Sequence, residues 1–230
     1  NNDGIFESTQ QNPVKQFTTA GINSVRLRIN GDPLLEKILT VQVLPYKGTP
    51  YQLANGGNFD VNIYDFAATN TGTSAFSLGN SVQPGKDGTH SGANAWVIDI
   101  DKPLYVPYST AYLYTPDYNC TAAGTYTLSF YAKYKIETTW DGFRVEYSTD
   151  KGDNWQLLGN VLQANWYDYA NPEADRPFPQ GEAYFSNVNA TAYTLCKYAT
   201  TVFAGQPNVA FRIVFQSDPA VVDAGLALDD

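Results

Sequence analysis

Four pairs of acidic residues lie close together along the chain: Asp99 and Asp101, Glu137 and Asp141, Asp218 and Asp223, Asp229 and Asp230. Two chemistries use such residues. A glycosidase needs two carboxylates roughly 5 to 10 Å apart across a cleft, one of them with a pKa raised by an apolar setting, and sequence spacing places none of these pairs across such a cleft. A calcium ion takes roughly six to eight oxygen ligands from carboxylates, amides and backbone carbonyls, which acidic, turn-rich β proteins supply readily. Other catalytic chemistry has little material to work with. The single histidine, His90 in "KDGTHSGAN", excludes multi-histidine metal sites. No G-x-S-x-G elbow accompanies it, so it reads as a solvated loop residue. Cys120 and Cys196 lack C-x-x-C spacing, which argues against zinc and against a thioredoxin-like site.

The stretch Ser148-Thr149-Asp150-Lys151-Gly152-Asp153-Asn154-Trp155 has the pattern S-x-D-x-G-x-x-W. It resembles the Asp-box of sialidases and related propellers. A propeller repeats its blade at a regular period, and the sequence holds one copy of the motif. The flanking runs "FRVEYSTD" and "WQLLGNVL" are β-prone, and Asp-Lys-Gly-Asp between them is hairpin chemistry: Asp accepts backbone hydrogen bonds and Gly takes positive φ. The motif therefore predicts a structural hairpin with Trp155 folded back over it.

The elements that must position these residues are strands. The chain has 230 residues, 43% hydrophobic and 16% charged, enough for one large β domain or two smaller ones with real cores. Its 17 Tyr, 12 Phe, 18 Gly and 13 Pro favour strands and turns, and no amphipathic pattern exceeds about three helical turns. Strand-sized runs are "AWVIDID", "AYLYTP", "TYTLSFYAKYKI", "GFRVEYST", "WQLLG" and "NVAFRIVFQS". In the third, Tyr126, Leu128, Phe130 and Ala132 alternate with Thr127, Ser129 and Tyr131, so one face is buried. A net charge of −9 and a pI near 4.5 argue against nucleic acid and anionic lipid partners. No apolar run approaches the ~20 residues of a membrane span. The absence of Met and of a leader before Asn1 predicts a piece of a longer polypeptide.

Two units follow. In residues 1–45, the alternations Val25-Leu27-Ile29 and Leu39-Val41-Val43, joined through Asn30-Gly31-Asp32-Pro33, predict two strands. With Asn12-Pro13, Phe17, Ala20-Gly21 and the remnant Asn2-Asp3-Gly4, this segment resembles the C-terminal half of a PKD domain, an immunoglobulin-like sandwich. Residues 46–59, rich in Pro, Gly and Asn, read as a linker. Residues 60–230 resemble the MAM-like, concanavalin-type jelly rolls of large secreted Bacteroidetes surface proteins, through Trp140-Asp141-Gly142, the S-x-D-x-G-x-x-W turn, and Ser217-Asp218 with Gly225 and Asp229-Asp230. The expected fold is all-β: a partial immunoglobulin-like sandwich followed by a jelly-roll β-sandwich.

That resemblance implies a structural calcium with Glu137, Asp141, Asp229 and Asp230 as its ligands, and an extracellular or cell-surface location. The aromatic clusters "LYVPYSTAYLYTPDY" and "WYDY" supply core side chains or sugar-stacking faces. Most read as core, while Trp166 and Tyr167, in a loop flanked by Asn and Asp, read as a surface platform for a neutral polysaccharide or cell-surface glycan. Cys120 and Cys196 each lie shortly before a strand, near Tyr126 and Val209, which predicts a disulfide at one end of the sandwich. The expected function is a non-catalytic adhesion or carbohydrate-binding segment of a larger secreted or surface protein. It has neighbouring domains of the same polypeptide as partners. The alternative is an accessory C-terminal module of a secreted peptidase or polysaccharide-degrading enzyme.

Overall fold

A computed structural model describes residues 8–174 and 176–230; Asn2-Asp3-Gly4 lies outside them. The first hairpin pairs β1 (Gly21–Arg28) with β2 (Glu36–Val43), Val25 opposite Leu39. Asp32 caps the short turn between them by accepting from the Leu34 N–H at 2.8 Å. Then come β3 (Tyr46–Lys47), β4 (Ala67–Thr71), β5 (Phe76–Gly79), β6 (Ala95–Ile98), β7 (Thr110–Tyr114) and β8 (Asp117–Cys120). The long strand β9 (Tyr126–Lys135) is followed by β10 (Gly142–Ser148), β11 (Gln156–Leu157), β12 (Tyr169–Ala170) and β13 (Ala183–Tyr184). The last three are β14 (Asn189–Thr200), β15 (Gln206–Gln216) and β16 (Gly225–Asp229). Helical structure among the described residues is limited to the 3₁₀ turns Pro33–Leu35 and Leu53–Asn55. Among the described residues, no helix is long and apolar enough to cross a membrane.

From β3 onward the strands form a two-sheet sandwich, with β12 and β13 a separate two-stranded pair; residues 46–59, expected to be a linker, instead supply β3 to the first sheet and Phe59 to the core, with Tyr51 packed against it. One sheet runs β11-β10-β15-β7-β4, with β8 and β3 attached, and the other runs β14-β9-β16-β6-β5. The chain passes between the two sheets after β4, β6, β8, β9, β11 (by way of the separate β12-β13 pair), β14 and β15, so most neighbours within a sheet are distant in sequence, as in Greek-key sandwiches. Period-two alternation decides which residues are inside. Phe143 pairs with Phe215 and Val145 with Ile213 on the inner face of the first sheet. Leu226 pairs with Tyr134 and Leu228 with Ala132 on the inner face of the second. These eight side chains belong to one buried cluster. The alternate residues of β10, β15 and β7 face away from it, and they build the candidate site.

Candidate functional site

Arg212 sits at the centre of the outer face of the first sheet, opposite Glu146 on one side and Tyr114 on the other. Its Nε donates to Glu146 Oε2 at 2.6 Å, and Glu146 also accepts from Arg144 Nε at 2.8 Å. Arg144 further pairs with Glu182. The Arg212 guanidinium lies over the Trp155 ring at 4.5 Å and near the Tyr112 ring at 5.1 Å. Tyr112 and Tyr114 stack at 6.0 Å, and Trp155 meets Tyr114 edge-on at 5.7 Å and 65°. Beside them is a groove of about 580 Å³ lined by Tyr114, Asp117, Lys151, Trp155 and Arg212. Burial raises the Asp117 pKa, and the Lys151 charge partly offsets that rise.

The S-x-D-x-G-x-x-W turn builds one wall of this groove. Ser148 Oγ accepts from the Gly152 N–H at 2.9 Å, and Asp150 Oδ1 accepts from Ser148 Oγ at 2.7 Å and from the Asn154 N–H at 2.9 Å. Hydrogen bonds from Asn154 and Ser148 hold the Asp150 carboxyl down at about 2, so it stays ionised and keeps the turn closed. Lys151 and Gly152 take positive φ, 62° and 89°, as a tight hairpin demands. The motif is thus a scaffold: its Asp is spent on the turn, and its Trp and Lys face the groove.

A second cluster forms at the start of β10. Glu137, Asp141 and Asp218 each bring a carboxylate oxygen within 4.8 Å of the others. The Trp140-Asp141-Gly142 turn positions Asp141: its N–H donates to Glu137 O at 3.0 Å, and Ser186 Oγ donates to its carbonyl at 2.7 Å. Gly142 is required here, because a Cβ would lie 2.7 Å from the Phe185 carbonyl. Tyr105 Oη donates to Asp141 Oδ2, and the Asp218 N–H donates to Asp141 Oδ1 at 2.6 Å. Burial nevertheless pushes the Asp141 pKa up to about 7, with the Asp218 and Glu137 charges adding to it. Burial and the Asp218 charge likewise raise that of Glu137. Glu137 Oε2 is buried with no hydrogen-bond partner. Clustered hard oxygens, mutual repulsion and an orphaned oxygen fit a calcium ion.

Asp229 and Asp230 do not join this cluster, which corrects the four-ligand set expected from the sequence. Asp229 is the last residue of β16, opposite Tyr131, whereas Gly225 at the other end pairs with Lys135 near Glu137. Asp229 Oδ2 accepts from the His90 and Ser91 N–H groups at 2.7 and 3.1 Å, and Asp230 accepts from Ser91 Oγ at 2.7 Å. His90 is not a free loop residue either. Its Nδ1 lies 2.5 Å from Asp230 Oδ2, and its ring stacks on Tyr131 at 3.5 Å.

Burial lifts the Asp229 pKa to about 6, against the backbone donors that lower it. The folded form then holds its proton more tightly than the unfolded chain, so stability from this group is full below about pH 4 and is lost as pH rises through about 6. Asp229→Asn, a neutral isostere, is expected to flatten the melting-temperature profile between about pH 4 and 7. A variant profile parallel to the native one across that window would refute this assignment.

The structure also overturns two other expectations. Trp166 and Tyr167 are 4% and 3% exposed and belong to the core. The turn before β12 folds inward because each polar handle finds a backbone partner: Trp166 Nε1 donates to Leu158 O at 2.9 Å, and Tyr167 Oη bonds both the Val145 carbonyl and its N–H. Cys120 and Cys196 are free, buried thiols. Cys120 ends β8 in the first sheet, while Cys196 lies inside β14 in the second. Burial pushes the Cys196 thiol up to about 12 and also raises that of Cys120, so both stay protonated.

No protein-family model matches the chain, and no curated protein sequence matches it. Among solved structures, the enzymatically active domain of tailspike protein 4 from bacteriophage CBA120 is 16% identical with a TM-score of 0.44. The match covers 78% of this chain and 20% of that one, so the chain spans about a fifth of the tailspike's length. A carbohydrate-binding module of the β-sandwich superfamily is 13% identical with a TM-score of 0.42, over 96% of this chain and 77% of that one. The K1 cleaved adhesin domain of Lys-gingipain from Porphyromonas gingivalis W83 is 17% identical with a TM-score of 0.37, over 71% and 86%. At these values the likenesses carry no argument, and the fold rests on the sheets described above.

Proposed function

We propose that this chain is a non-catalytic glycan-binding segment of an extracellular or cell-surface protein, with its ligand groove on the outer face of the larger sheet. The observation that carries the reading is the juxtaposition of Trp155, Tyr114 and Arg212 beside a groove of about 580 Å³. Aromatic faces stack on sugar rings, and a few fixed polar groups orient the hydroxyls. Each cation lining the groove lies near a carboxylate, Arg212 with Glu146 and Lys151 with Asp117, so uncharged polysaccharides are the favoured class. The calcium implied by the acidic cluster is structural, with Glu137, Asp141 and Asp218 as its carboxylates. Catalysis by that cluster is disfavoured because Asp141 is fully buried, out of reach of a polysaccharide substrate.

The test is retention on neutral polysaccharides in affinity electrophoresis. Trp155→Ala should abolish retention by the native chain while changing stability by about 1 kcal/mol, the scale of one exposed cation–π contact. Undiminished retention of that variant, or of none of the polymers by the native chain, would overturn the groove assignment. Release of sugar fragments would overturn the non-catalytic reading.

A further inference from the structure

The two sheets do not close uniformly. Along the inward side of β9, Phe130, Ala132 and Tyr134 are buried, whereas Leu128 and Tyr126 are only half-buried. At that end the sandwich opens into a cavity of about 540 Å³. Leu113, Phe211 and Ile213 form its wall on the first sheet, and Leu128 and Phe130 its wall on the second. A third wall comes from the segment before β4, through Tyr51, Phe59 and Phe66. Phe211, Ile213, Phe130, Phe59 and Phe66 keep 7–8% exposure, while Phe143 and Phe215, away from the opening, have 0%.

Protein interiors pack to crystal density, so an apolar void of this size between two sheets calls for an occupant. Water is a poor one, because the walls offer few free polar partners: Tyr51 Oη already bonds Asp65, and Thr115 Oγ1 bonds Pro116 O and the Phe211 N–H. No Lys, Arg or His is among the described residues that line the cavity, and the carboxylate of Asp230, its one acidic residue, is held by His90 and Ser91. An anionic head group would therefore find no cation on the walls. The inward residues from Tyr126 to Phe130 span four strand steps, about 13 Å at ~3.3 Å each. The volume holds on the order of 18 non-hydrogen atoms at ~30 Å³ each.

We propose that the inter-sheet cavity binds an uncharged, medium-chain alkyl amphiphile, with the chain lying along β9 between Leu128, Phe130 and Phe211 and the polar head at the open end. This site is on the inner faces of the sheets, so it stands or falls apart from the outer groove.

The probe is 1-decanol, with decanoate as the charged counterpart. Titration calorimetry of the native chain should give saturable one-to-one binding of decanol and a melting temperature that rises with its concentration. Decanoate should bind at least tenfold more weakly. Leu128→Trp fills the cavity from its half-buried wall and should weaken decanol binding at least tenfold while leaving polysaccharide retention unchanged. Should that variant fail to fold, Leu113→Phe fills the cavity from the opposite sheet and reads the same quantity. Absence of saturable decanol binding, or equal binding by a folded cavity-filling variant, would overturn the proposal. Equal affinity for decanoate would overturn its uncharged head.

Discussion

Trp166→Ala should destabilise the sandwich by about 3–5 kcal/mol, the range for deleting a fully buried aromatic side chain. The ring sits among Phe130, Tyr167, Phe185 and Tyr198, at centroid distances of 5.9, 5.1, 5.6 and 5.2 Å. Its removal leaves a cavity that β9 and β14 cannot collapse around, and it strips Leu158 O of its donor. Gly159 shows how tight the site is: a Cβ there would lie 2.8 Å from Trp166 Nε1. Trp166→Phe keeps much of the ring contact and should cost clearly less. The measurement is the urea midpoint at constant slope. A loss below about 1 kcal/mol for the alanine variant would contradict the core placement. Retention on polysaccharide, measured well below the melting temperature, should survive in Trp166→Phe, which separates the core tryptophan from Trp155 in the groove.

Trp155 and Trp166 also mark what was legible in the sequence. Trp155 was readable because its turn is local: Ser, Asp and Gly at fixed offsets determine the hairpin, and the hairpin determines which way the ring folds. Trp166 was misread because polar neighbours suggested a surface loop. Its burial depends on Leu158 O and on the Tyr167–Val145 pair, contacts that no short-range pattern encodes. The strands β9 and β15 were legible from alternation, and β6, β7 and β10 as strand-sized runs; β6 is buried on both faces and so carries no alternation. The twelve-residue β14 was not. It is an edge strand whose exposed Thr191, Ala192 and Lys197 blunt the hydrophobic period, and β9 is its only strand neighbour among the described residues. The two cysteines failed for a related reason: proximity to the start of a strand says nothing about which sheet that strand joins. The acidic cluster was half legible. The Glu137–Asp141 turn is local, but Asp218 reaches it through a hydrogen bond spanning 77 residues, whereas Asp229 and Asp230 lie at the far end of β16.

Calcium removal should lower the melting temperature reversibly, and the ligand set should be separable by substitution. An ion that binds the native state alone stabilises it by mass action, about 2.7 kcal/mol at a hundred times its dissociation constant. Excess chelator should remove that increment and added calcium should restore it. Magnesium should restore less, since it demands a tighter octahedron and gives up its waters reluctantly. Asp218→Asn and Glu137→Gln should each shrink the calcium increment, whereas Asp229→Asn should leave it intact. In chelator the sign reverses. Burial and mutual repulsion raise the carboxyl pKa values of Glu137 and Asp141, so neutralising Asp218 relieves the ion-free protein and should raise its melting temperature. Opposite shifts with and without calcium distinguish an ion site from a simple network of turn residues, which would lose stability in both conditions. An unchanged melting curve in excess chelator would remove calcium from the account, and a lost increment in Asp229→Asn would restore the ligand set that the sequence alone implies.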